Sequence, residues 1–162
     1  MIEGTRTDAA RVLDCLPSVR RALGTEVEVG PGNETISSGQ FYALRTLAIH
    51  DRTAGELASL IMVALPSLTQ LVDGLVERGW VARYADPSDR RKVWLSLTEP
   101  GRLVYARARQ SAEARIAEML ARITDEERDA LVQGLEAFKT AIHEYRQLPR
   151  ARAEAKTASS SR

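Results

Sequence analysis

Thr53–Gly101 reads TAGELASLIMVALPSLTQLVDGLVERGWVARYADPSDRRKVWLSLTEPG, and its changes of period decide the fold. Thr53-Ala54-Gly55-Glu56 has the spacing of a capping box, in which the threonine oxygen takes a backbone N–H and the glutamate reaches back. It opens a short helix carrying Leu57, Leu60 and Ile61. Met62–Leu65 is read as a turn. A second helix follows, with Leu68, Leu71 and Leu75 on one stripe and Val72 and Val76 beside them. Gly79 is placed to end it, since glycine enters the left-handed conformation without steric cost. The period then becomes two. Val81–Ala85 reads as a strand, Asp86-Pro87-Ser88-Asp89 as a turn, and Val93, Leu95 and Leu97 alternate with polar or aromatic residues along a second strand. The order is helix, turn, helix, hairpin.

Outward from this stretch the pattern is helical. Apolar residues at Val12, Leu16, Val19 and Leu23 predict a helix over Ala9–Leu23, with a kink or a split at Pro17. Glu28–Asn33 (EVGPGN) reads as a loop. Ser37 or Ser38 caps a helix to about Ile49, with Phe41, Leu44 and Ala48 inward. Thr98-Glu99-Pro100 starts a helix to about Arg122. Thr124-Asp125-Glu126-Glu127 is another capping box, opening a helix with Leu131, Leu135, Phe138, Ile142 and Tyr145 on a nearly heptad stripe. Residues 150–162 read as a loose polar tail.

The chain has 162 residues, 44% hydrophobic and 28% charged, with a formal net charge of +1 and one cysteine. These values describe an ordinary globular protein and argue against a disulfide-stapled secreted fold. No apolar run has membrane-spanning length, and the first 14 residues carry too much charge for a secretory signal, so the expected location is the cytoplasm. Phosphate-cradling glycine loops, a nucleophile elbow and recognisable carboxylate pairs are absent, so the reading is not an enzyme and implies no cofactor. His50 and His143 lack metal-ligand spacing.

A helix-turn-helix suits DNA because its second helix fits the major groove. Here the face opposite the apolar stripe presents Pro66, Ser67, Gln70, Asp73, Gly74 and Glu77, with Thr69 at the side. Ser67 and Gln70, near the N-terminal end, are the candidate base readers, and Gln can bond adenine twice. Thr69 suits a phosphate, whereas Asp73 and Glu77 oppose phosphates. Arg83, Arg90, Arg91 and Lys92 gather positive charge on the hairpin. Arginines at its tip suit a minor groove, with Asp89 holding one guanidinium in place.

Five motifs in this order closely resemble the MarR family of multiple antibiotic resistance regulators. They are Thr53-x-x-Glu56-Leu57-Ala58, Leu68-Thr69-x-Leu71-Val72-x-x-Leu75, Gly79-Trp80-Val81-x-Arg83, Asp89-Arg90-Arg91, and Leu95-x-Leu97-Thr98-x-x-Gly101. The resemblance implies a mainly α fold with a small β-hairpin wing: a winged helix-turn-helix over 37–101, dimerisation helices over 9–24 and 102–147, and the tail. It implies a homodimer on double-stranded DNA at a pseudo-palindromic operator, usually repressing, and released by a phenolic or other small ligand or by cysteine oxidation. Ser67, Thr69 and Gln70 match the groove-facing start of the recognition helix, and Asp89 and Arg91 match the wing. Tyr42 and Arg45 lie near the cleft where family ligands bind. Ala64 departs from a frequent capping serine, and Gln70 and Gly74 from frequent basic residues. Cys15, without aromatic neighbours in sequence, reads as a buried structural cysteine and not a peroxide sensor. The competing reading is a winged-helix protein-interaction module that does not use DNA.

Overall fold

The computed structural model describes residues 2–24, 26–30, 34–89 and 92–147. The chain divides into two compact units, Met1–Ala117 and Glu118–Arg162. The first carries every strand. Its order is α1 (Ile2–Leu23), β1 (Glu26–Gly30), β2 (Glu34–Ser37), α2 (Ser38–Leu47), β3 (Arg52–Thr53), α3 (Ala54–Ile61), α4 (Leu65–Glu77), β4 (Val81–Ala85), β5 (Val93–Leu97) and α5 (Glu99–Leu120). α6 (Asp125–Gln147) forms most of the second unit.

Local sequence chemistry sets most element ends. Ser37 caps α2 and Thr53 caps α3, each through a complete capping box. At α3 the Thr53 N–H donates to Glu56 at 2.8 Å and the Glu56 N–H donates to the Thr53 hydroxyl oxygen at 3.3 Å. The backbone and side-chain bonds from Thr53 hold the Glu56 carboxyl below its ordinary pKa. α4 ends in a Schellman motif: Gly79, at φ 70°, donates to Val76 O and Trp80 donates to Leu75 O, both at 2.9 Å. In the second unit Thr124 and Glu127 exchange the two bonds of the box that opens α6.

The core of the first unit is continuous beneath the strands. Ile36, Leu44, Leu47, Leu57, Leu68, Leu75 and Leu95 are among its large, fully buried side chains. β5 is the centre of an antiparallel sheet in the order β3-β5-β4, with Val81 opposite Leu97 and Arg83 opposite Leu95. The wing is therefore three-stranded, not the lone hairpin read from the sequence. The two-residue strand at Arg52–Thr53 is too short to show a period.

Other expectations are corrected. Glu28–Gly30 is not loop but the end of β1, which pairs with β2 through Val27 opposite Ile36 and Glu28 opposite Thr35. Val29 and Ile36 point into the core, which explains why EVEVG extends. Residues 31–33 of the expected loop lie outside the described residues, as does the expected tail. α1 passes through Pro17 as one helix. Its described side chains are all exposed, so a carbonyl freed by the missing N–H stays open to water. Cys15 is likewise exposed rather than buried. Leu71 and Val76, expected on the buried stripe of α4, only partly enter the core, and Leu60 on α3 is half exposed.

Candidate nucleic-acid interface

α4 turns Leu68, Val72 and Leu75 into the core. This leaves Pro66, Ser67, Gln70, Asp73 and Glu77 exposed on the other side, as the sequence places them. Its N-cap, Ala64, supplies no side-chain bond, and Pro66 occupies the first turn. Thr69 donates its hydroxyl proton to Leu65 O at 3.0 Å. That proton is therefore engaged within the helix and not directed to a phosphate. Arg83, a candidate DNA contact, bridges to Asp73 at 2.5 Å. The pair neutralises Asp73, one of the two carboxylates on this face with Glu77, and ties α4 to β4. As a half-exposed pair it contributes at most about 1 kcal/mol to stability.

The base of the wing is organised by Asp86. Its Oδ1 accepts from the Ser88 N–H at 2.8 Å, the Ser88 hydroxyl at 2.6 Å and the Asp89 N–H at 3.2 Å. Its Oδ2 accepts from Trp94 Nε1 at 2.8 Å. Asp86 N–H donates to Lys92 O, and Lys92 N–H donates to Asp89 O, closing the turn. Lys92 Nζ also lies 5.6 Å from the Trp94 ring centroid. Lower on the wing, the Tyr84 hydroxyl donates to Asp51 at 2.7 Å, joining β4 to the segment before α3 and raising the tyrosine pKa. Arg90 and Arg91, the two arginines assigned to the tip, lie outside the described residues.

The bonds from Ser88 and Trp94 hold the Asp86 carboxyl far below the usual aspartate range. A carboxyl with a depressed folded-state pKa contributes its full stabilisation above the unfolded-chain value, and loses it as pH falls toward the folded value. The Trp94 indole N–H resonance is therefore expected to hold its position from pH 7 to below the ordinary aspartate midpoint of about 3.9. In Asp86→Ala it is expected to be displaced already at pH 7. A wild-type resonance that titrates at the ordinary midpoint refutes the clasp.

Sequence reasoning recognised the turn at Asp86 but missed its bond to Trp94, and missed the Asp73–Arg83 and Asp51–Tyr84 pairs. Each joins residues from separate elements, where no periodicity points. The second candidate region is a groove of about 120 Å³ lined by Val27, Phe41, Tyr42, Ser111, Arg115 and Ile116 among others. It includes Tyr42, as expected, but not Arg45. Arg115, on α5, carried no sequence signal. Among the described residues no cluster of His, Cys, Asp or Glu could hold a metal, and no single helix is long and apolar enough to cross a membrane.

A buried-stripe helix after a short capped helix, braced by a three-stranded wing, defines the winged helix-turn-helix class. The comparisons with known proteins agree. The family model described as MarR family matches residues 36–93. An uncharacterised HTH-type transcriptional regulator of Mycobacterium bovis is 33% identical over 126 residues, covering 77% of this chain and 87% of the relative. The crystal structure of wild-type apo MarR from Escherichia coli superposes with a TM-score of 0.60 at 30% identity, over 64% of this chain and 78% of that one. The transcriptional regulator BldR from Sulfolobus solfataricus gives 0.63 at 25% identity, over 86% and 96%. The chain belongs to the MarR family of transcription regulators, and it is not an enzyme.

Proposed function

We propose that this regulator acts in the cytoplasm as a homodimer that binds a pseudo-palindromic operator, represses the adjoining gene, and lets go when a small amphipathic ligand binds. The observation that carries this reading is the exposed, uncharged start of α4 beside a wing whose base is fixed by Asp86. Ser67 and Gln70 read base edges. Asp89, Arg90, Arg91 and Lys92 serve the wing, and residues 37–101 form the DNA-binding region. Phosphate contacts supply affinity and base contacts supply discrimination.

Dimerisation is supported by two apolar stripes that each unit leaves in water. Val12, Leu16 and Val19 on α1 are 44%, 50% and 51% exposed, and Phe138 and Ile142 on α6 are 52% and 42% exposed. Burying such surface between subunits is favourable. The segments 9–24 and 102–147 supply this interface, and a two-fold axis then sets two recognition helices roughly 34–36 Å apart. The groove at Tyr42 and Arg115, mostly apolar with a few polar groups, suits the effector.

The test is a gel shift with the full-length protein and the duplex upstream of its own gene, alongside sedimentation at micromolar concentration. A sequence-dependent shift by a dimer is expected. A sedimenting monomer refutes the dimer, and the absence of any preference for the upstream duplex over scrambled DNA favours the interaction-module reading.

A further inference from the structure

We infer that α4 recognises thymine methyl groups, so that the major-groove core of each half-site consists of A·T base pairs. This rests on the DNA-binding reading above and specifies what that surface reads. The starting point is what the helix lacks. From Thr53 to Glu77 there is no lysine or arginine. The commonest specific contact to guanine, a basic side chain on its O6 and N7, is therefore missing from the whole helix-turn-helix. Arg78, just past the helix, lies over the Trp80 ring with its guanidinium carbon 4.9 Å from the centroid. Cytosine is read by a carboxylate that accepts from its amino group. The nearest carboxylate on the outward face, Asp73, is held by Arg83.

Beside the Ser67 hydroxyl, which discriminates little among bases, most of what the leading turns present is apolar. Leu65 is 50% exposed at the first helical position. Pro66, exposed beside it, has no N–H to donate. Thr69 has committed its hydroxyl proton to Leu65 O, so its remaining offering includes the methyl group. Leu65 and Thr69 are one turn apart, as are Pro66 and Gln70, so these apolar groups stand next to the one amide. In the major groove a glutamine pairs with adenine and an apolar group fits the thymine 5-methyl. Both chemistries select the same base pair, read from either strand.

The measurement begins with selection from a random duplex library by the full-length protein, followed by replacement of each selected thymine with deoxyuridine. Uracil keeps the pairing and the minor groove and deletes only the methyl. We expect an A·T core under α4 and a loss of about threefold to fivefold in affinity per methyl at the sensitive positions. Thr69→Ser retains the hydroxyl that bonds Leu65 and removes only the side-chain methyl. It should bind the thymine operator about threefold to fivefold more weakly, while binding the uracil duplex and scrambled DNA as the parent does. Leu65→Ala is the companion variant, and at least one of the two must lose the penalty for uracil. A G·C core, indifference to uracil at every position, or a full uracil penalty in both variants overturns the inference and leaves DNA binding standing. Selection of no sequence at all overturns the DNA-binding reading itself, and the inference with it.

Discussion

Gly101→Ala is expected to lower the melting temperature by roughly 6–12 °C, the consequence of about 3 kcal/mol of forced overpacking. A Cβ at this position would lie 2.1 Å from Trp80 O and 2.8 Å from Leu97 Cδ1. The first neighbour is backbone and cannot rotate away. It is also fixed from several directions. Trp80 N–H closes the Schellman motif on Leu75 O at 2.9 Å, while Trp80 O accepts from Thr98 N–H at 3.0 Å. The Thr98 hydroxyl donates to Gly79 O at 2.6 Å and accepts from Gly101 N–H at 3.1 Å. Moving α5 outward to admit a methyl therefore strains the cap of α5 and the stop of α4 together. Gly74→Ala supplies the control. A Cβ there meets nothing within 4 Å, so the same chemical change should stabilise the helix by up to about 1 kcal/mol. Opposite signs in differential scanning calorimetry support the close approach. A Gly101→Ala protein that melts with the parent refutes it.

The turn that ends the recognition helix and the turn that begins α5 share a backbone carbonyl, Trp80 O. Under the proposed function, this shared carbonyl is where a ligand-induced shift of α5 would reach the C-terminal end of α4. The Arg83–Asp73 bridge adds a second tie, from the wing to the middle of the same helix. α4 is thus held at its end and its centre, while its N-terminal turn, where the proposed readers Ser67 and Gln70 lie, has no side-chain cap.

The sequence revealed those parts of the architecture that are locally encoded. Thr53 and Glu56 are three residues apart and announce their bonds. Gly79 stops α4 for reasons contained in its own backbone. The shift from a helical to an alternating period at Val81 is visible because β4 and β5 each have several residues on one period. β1 was hidden because its alternation at Glu26–Gly30 runs straight into turn-forming Gly30-Pro31-Gly32-Asn33, so the glycine and proline signal spread too far back. β3 was hidden by its length, and the burial of Cys15 was misjudged because an apolar stripe states that a face will be covered, not by which chain. For the candidate site, the outward face of α4 was legible from helical spacing. The pairing of Arg83 with Asp73 was not, since ten residues separate them on two different elements and charge alone assigned Arg83 to the DNA.

Arg91→Ala and Gln70→Ala are expected to damage DNA binding in different currencies. Arg91 follows Asp89 and precedes Lys92 in the wing segment, where the family resemblance assigns an arginine to the minor groove. Its guanidinium contributes to affinity through charge, and each phosphate neutralised releases counterions. Removing it should weaken operator and scrambled duplexes alike, by about tenfold or more near physiological salt, and flatten the salt dependence by roughly one unit of slope per wing. The fold should persist, because the residues that close the turn on Asp86 are elsewhere. Gln70, exposed on the outward face of α4, carries no charge. Its loss should cost about 1–3 kcal/mol of discrimination at one or two base pairs per half-site and leave the salt slope unchanged. Titrating both variants against operator and scrambled duplexes at several salt concentrations separates the roles. If Gln70→Ala changes the slope and Arg91→Ala changes only base preference, the roles are reversed. If neither variant alters binding, the functional surface lies away from α4 and the wing, because charge loss and reader loss cannot both be silent at a surface that grips phosphate with one element and reads bases with the other.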